Sequence, residues 1–93
     1  MSVRAIHVTV TGAVQGVGYR AWVENEATRR GLAGWIRNRR DGSVEAVFSG
    51  EPGAVDGMLA ACAVGPLGGE VTAVAVADYA GPPLSRFTVL PTG

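Results

Sequence analysis

Asp41-Gly42 stands between two strand-like runs, Gly34 to Arg40 and Ser43 to Ser49. Both positions tolerate positive φ, so the pair predicts a two-residue turn joining neighbouring strands that run antiparallel. A hairpin there excludes a purely parallel α/β plan, because parallel neighbours need a crossover of a dozen or more residues. The flanking segments fill in the rest. Val3 to Thr11 alternates, with Ile6, Val8 and Val10 on one face and His7, Thr9 and Thr11 on the other, and reads as a half-buried strand. Tyr19 to Arg30 holds good helix formers and stops at Gly31, with Trp22, Val23 and Ala27 turned to the core. After the turn, Val44, Ala46 and Phe48 form the buried face of a strand, and Glu45, Val47 and Ser49 the wetter one. Pro52 opens a second helix in which Val55, Leu59 and Cys62 recur at helical spacing until Gly65-Pro66. Val71 to Tyr79 supplies a fourth strand. Beyond Gly81-Pro82-Pro83, Arg86 to Leu90 is long enough for a short fifth strand at the edge.

The order β-α-β-β-α-β predicts an α+β fold, a ferredoxin-like two-layer sandwich with two helices on one face of an antiparallel sheet. Ninety-three residues suffice for one core and not for two, so residues 1–93 form a single domain. An apolar content of 47% against 17% charged residues is that of a globular chain. Eight arginines balance eight acidic side chains, so no overall field draws the chain to nucleic acid or to an anionic membrane. The single cysteine, Cys62, has no disulfide partner and no neighbours at metal-ligand spacing, and it falls on the apolar stripe of the second helix. No apolar run approaches the ~20 residues that span a bilayer, and no h-region with a cleavage site opens the chain. A cytoplasmic monomer, neither secreted nor membrane-embedded, is the expectation.

Between the first strand and the first helix, Gly12-Ala-Val-Gln-Gly-Val-Gly18 places three glycines in seven residues. The head of a helix exposes up to four unpaired N–H groups, normally met in part by a Ser, Thr, Asp or Asn cap. Gly16, Val17 and Gly18 offer no such side chain, which leaves those donors for an anion in a nest of amides reinforced by the helix dipole. Arg20 points the same way, because a cation in the first turn is disfavoured by about 0.3–1 kcal/mol unless something negative offsets it. Its guanidinium can also give two parallel hydrogen bonds to phosphate oxygens. A tight turn followed by an exposed arginine accounts for the same spacing without a ligand. Gly16-Val-Gly-Tyr-Arg-Ala21 matches the dinucleotide fingerprint as well, but that fold needs parallel strands joined by crossover helices, which the hairpin contradicts.

Gly12-Ala-Val-Gln15-Gly16-Val17-Gly18-Tyr19-Arg20 resembles the first signature of the acylphosphatases. Gly34-Trp35-Ile36-Arg37-Asn38, followed by Gly42, Val44 and Gly50, resembles the second, and the likeness covers nearly the whole chain. It implies a hydrolase, without metal or cofactor, that cleaves the carboxyl-phosphate anhydride of a small-molecule acyl phosphate to a carboxylate and inorganic phosphate. By similarity, Gln15, Gly16, Val17, Gly18, Tyr19 and Arg20 hold the phosphoryl oxygens, Arg20 and Asn38 are catalytic, and phosphate or sulfate competes for the site. Elementary chemistry agrees: phosphoryl transfer asks for positioning and for charge stabilisation on the equatorial oxygens. On spacing alone Asn38 is a strand-end asparagine, and as a feeble base its role is to position water rather than deprotonate it. Two departures from the family pattern concern packing and substrate-tail contacts, Arg30 near the end of the first helix and an arginine-poor Thr88 to Gly93.

The remaining candidates have plainer readings. His7 lacks an identifiable partner and reads as structural. Arg37, Arg39 and Arg40 read as a solvated strand end, with steering of anionic substrates as the alternative. Trp22 and Trp35 read as packing residues, and Glu24 and Glu26 as solvated helix positions. An RNA-binding sheet would display aromatic pairs and a basic surface, whereas the open face here offers His7, Thr9 and Glu45. A module of a larger carbamoyl-transfer protein is a further alternative. A free-standing enzyme is expected, since no zinc-ligand clusters accompany the domain.

Overall fold

A computed structural model describes residues 2–93 and contains seven elements: β1 (Arg4–Ala13), α1 (Tyr19–Arg29), β2 (Ala33–Asn38), β3 (Val44–Gly50), α2 (Pro52–Val64), β4 (Glu70–Asp78) and β5 (Phe87–Val89). The strands form one sheet in the order β4-β1-β3-β2-β5. The alternation in β1 works as expected. Ile6, Val8 and Val10 are buried, and with Phe48 of β3, Val23 and Ala27 of α1, and Val55, Met58 and Cys62 of α2 they form the core between sheet and helices. Trp22 packs against this core at its margin rather than within it.

Two expectations about the sheet need correction. The first four strands pair antiparallel, but β5 pairs parallel to β2, in the register Gly34↔Phe87, so the sheet is mixed. β4 ends at the end of the sheet where β2 begins, and a strand that follows without a reversing hairpin has to run with β2. Val47, expected on the wetter face, is fully buried. Its cross-strand neighbours His7 and Trp35 flank it on that face, and the Arg37 guanidinium lies 5.3 Å from the centre of the Trp35 ring.

The central hairpin also differs in detail. Its strands end at Asn38 and resume at Val44, and Arg39 N–H donates to the Ser43 carbonyl at 2.8 Å across the closing pair. Gly42 N–H bonds back to the Arg39 carbonyl at 3.2 Å, and Gly42 alone of the turn residues has positive φ, 94°. This is a three-residue loop, a turn plus a glycine bulge, in place of a two-residue turn with two positive φ angles. Asp41 makes the longer loop stable: its carboxylate accepts from Ser43 N at 2.9 Å and Ser43 Oγ at 2.6 Å.

Arg30 finds its place between the helices. Its guanidinium donates to Glu26 Oε1 at 2.7 Å, and its Nε lies above Gly57 of α2, where an added Cβ would meet it at an ordinary 3.5 Å. Glycine inside a helix costs about 1 kcal/mol against alanine. Gly57→Ala should therefore stabilise the fold, by about 0.5–1 kcal/mol in a denaturant titration. A lower midpoint would show that Arg30 has no room to yield.

Candidate active site

β1 delivers the chain to the head of α1, and the loop between them is fixed at both ends. Val14 is buried, and the Tyr19 ring is buried beside α2 with its hydroxyl donating to the Cys62 carbonyl at 3.0 Å. Burial, with Cys62 adding to it, pushes the Tyr19 phenol well above its ordinary value, so it stays a neutral donor. Gly16 and Gly18 adopt φ of 77° and 76°, while no non-glycine residue among those described has positive φ. The sign of φ thus alternates from Gly16 through Tyr19, the geometry that turns successive amides to one side as a nest. Gly18 is the N-cap of α1, with no side-chain cap hydrogen bond and no acidic residue in the first turn.

Not every residue of the loop signature serves in the same way. The Gln15 side chain is committed elsewhere: its Nε2 donates to the carbonyls of Arg39 at 2.7 Å and Ser43 at 2.8 Å, which clips the loop to the β2–β3 hairpin. Val17 packs its side chain against the core and does not line the adjacent cleft. Tyr19 sends its ring inward, so it offers the cleft its main chain rather than its ring. Gly16, Gly18 and the half-buried Arg20 do line the cleft, which has a volume of about 660 Å³. Arg20 takes part in none of the ion pairs formed among the described residues, even though Glu24 stands four residues along the same helix.

Asn38 lines the same cleft. As the last residue of β2 it is held by pairing with Val44 and by a bond from Gly93 N–H to its carbonyl at 3.0 Å. Its side-chain Oδ1 is buried and has no hydrogen-bond partner. A bare buried acceptor costs about 1–3 kcal/mol, so a donor that reaches this oxygen is stabilised by it. The structure thus brings Arg20, the loop residues Gly16 and Gly18, and Asn38, which stands 18 residues beyond Arg20 in sequence, to one cavity.

The neighbouring arginines lie on another surface. Glu45, on the sheet face away from the helices, receives hydrogen bonds from Arg37 at 2.7 Å and Arg39 at 3.0 Å, and its other oxygen meets His7 Nε2 at 2.5 Å. Burial opposes its charge, but these three partners outweigh burial and hold the carboxyl at about 2. Arg37 and Arg39 are therefore paired rather than free, and His7 is a structural partner outside the cleft. Arg86 to Val89 also line the cleft, and sequence reasoning left them out. Their only signal was the short terminal strand, whose place beside β2 follows from the parallel pairing.

The acylphosphatase family model matches residues 6–89. An acylphosphatase of Bradyrhizobium diazoefficiens is 49% identical over 98 aligned positions, covering 99% of each chain. One from Alcanivorax borkumensis is 52% identical over 87 positions, covering 89% of this chain and 95% of the relative. The crystal structure of acylphosphatase from Bacillus subtilis superposes with a TM-score of 0.89 at 34% identity, covering 96% of this chain and 99% of that one.

Proposed function

This chain belongs to the acylphosphatase family, and from that premise, which makes it a hydrolase of the acid anhydride in small-molecule acyl phosphates, we propose the following division of labour in its cleft. The loop amides from Gln15 to Arg20, together with the Arg20 guanidinium, bind the phosphoryl oxygens. Asn38 accepts a hydrogen bond from a water and holds it in line with the scissile P–O bond. The carrying observation is that Asn38, whose buried Oδ1 has no partner, lines the same cavity as the uncapped head of α1.

Water attacks phosphorus as the bond from phosphorus to the carboxyl oxygen breaks. The bonding pair leaves with the carboxylate, and both protons of the water finish on inorganic phosphate, or one is passed on to solvent. The leaving carboxylate is stable without protonation, so the site needs no dedicated general acid. Charge on the three equatorial oxygens is met by donors already in place, which cost no reorganisation during the reaction. On this reading the chemistry needs neither metal nor cofactor, and phosphate or sulfate competes with substrate. The absence of overall charge suits a small anionic substrate rather than nucleic acid. A cytoplasmic monomer is part of the same proposal; no helix among the described residues is long and apolar enough to cross a membrane.

Benzoyl phosphate hydrolysis in excess EDTA tests the division of labour. Full turnover with competitive inhibition by inorganic phosphate is expected. Loss of turnover on chelation, restored by a divalent cation, would remove the metal-free reading, and inhibition by phosphate that is not competitive would place the anion elsewhere.

A further inference from the structure

Besides the loop, Arg20 and Asn38, the cleft is lined by Ala21 and Glu24 of α1 and by Arg86 and the β5 residues that follow it. Arg86 is well anchored at its backbone. Its carbonyl accepts the Gly34 N–H at 3.0 Å, and the adjoining Phe87 stacks on Phe48 with ring centres 5.8 Å apart at 11°. Its side chain is exposed and enters none of the ion pairs or side-chain hydrogen bonds found among the described residues, unlike Arg4, Arg29, Arg30, Arg37 and Arg39. Arg86 and Thr88 also line a second depression, of about 240 Å³, on which Trp35 and Leu84 open. Arg86 therefore stands on the rim shared by the two hollows, fixed at the main chain and uncommitted at the guanidinium.

From this placement, and resting on the proposed division of labour, we infer that Arg86 determines specificity for acyl phosphates whose acyl group carries a second negative charge. With the phosphoryl group held at the head of α1, the acyl chain leaves along the remaining cleft toward the rim. A carboxylate or phosphate at its far end then meets Arg86, the one cation lining the cleft other than the arginine engaged with the phosphoryl group. Glu24 faces the same space and sets the opposite bias, so the two side chains together tune the preference. Arg86 touches the tail of the substrate and not the reacting atoms, and its effect falls on kcat/KM for charged tails alone.

The test compares kcat/KM for succinyl phosphate, with its distal carboxylate, and for benzoyl phosphate, whose acyl group is neutral. In Arg86→Gln the succinyl-to-benzoyl ratio should fall about fivefold, the scale of one exposed charge contact. In Glu24→Gln the ratio should rise, by about twofold or more on the same scale. The Arg86 effect should also shrink as salt is raised. An unchanged ratio in Arg86→Gln, whether or not both activities fall together, overturns the inference, since an equal fall marks a role in folding or in stabilising the leaving carboxylate. Wild-type protein that hydrolyses neither compound would instead strike at the division of labour in the cleft.

Discussion

Arg20→Gln is expected to lower kcat on benzoyl phosphate by about 10³-fold or more while leaving thermal stability unchanged or slightly raised. The two halves of this expectation have separate causes. An arginine placed on a transferring phosphoryl group supplies 10³–10⁵ in rate in enzymes that rely on it, because it meets charge that appears as the P–O bonds loosen. In the protein alone, Arg20 lies in the first turn of α1, where the helix dipole disfavours a cation and no acidic residue of that turn offsets it. Glutamine removes this penalty and any phosphate affinity with it. Arg20→Lys should recover little, since a point charge does not reproduce the two parallel donors of the guanidinium. Steady-state kinetics, phosphate inhibition and a melting curve on the same preparations decide the matter. A variant that keeps wild-type turnover would take Arg20 out of the chemistry, and one that loses activity only by unfolding would make its role structural.

The sequence made the glycine-rich loop before α1 legible because its signals are local. Missing cap residues, closely spaced glycines and a misplaced cation are each properties of a few consecutive positions, and the left-handed Gly16 and Gly18 follow from them. Alternation in β1 was equally readable, since side chains pointing to opposite faces leave a period of two whatever the topology. What escaped depends on contacts made across the chain. Gln15 looks like a ligand in the loop, yet its amide reaches carbonyls 24 and 28 residues away, a choice no local pattern records. Val47 sits on the nominally wet face and is buried because Trp35 and His7 stand beside it in the register. Arg30 near the end of α1 is held by Glu26 of its own helix and lies over Gly57 of the other, a contact that no local pattern records. Asn38 lies between these cases: its residue type and place at a strand end were visible, but its convergence on the loop depends on the split β-α-β path from β1 through α1 to β2.

That convergence gives the second large effect. Asn38→Ala should lower kcat by about 10²-fold or more while inorganic phosphate inhibits as well as before. Positioning a nucleophile contributes to the reaction and not to holding the phosphoryl group, so the loss belongs in kcat and not in affinity. Stability should not suffer much, because the deleted Oδ1 is a buried acceptor without a partner, and its removal offsets part of the cost of the space left behind. Asn38→Asp separates positioning from electrostatics. Aspartate keeps the size and an acceptor oxygen but adds a negative charge to a cleft that receives a phosphoryl dianion, so phosphate inhibition should weaken together with kcat. If the alanine variant lost phosphate affinity as severely as turnover, Asn38 would be a ligand of the phosphoryl group, and the nucleophilic water would have to be held by another group in the cleft.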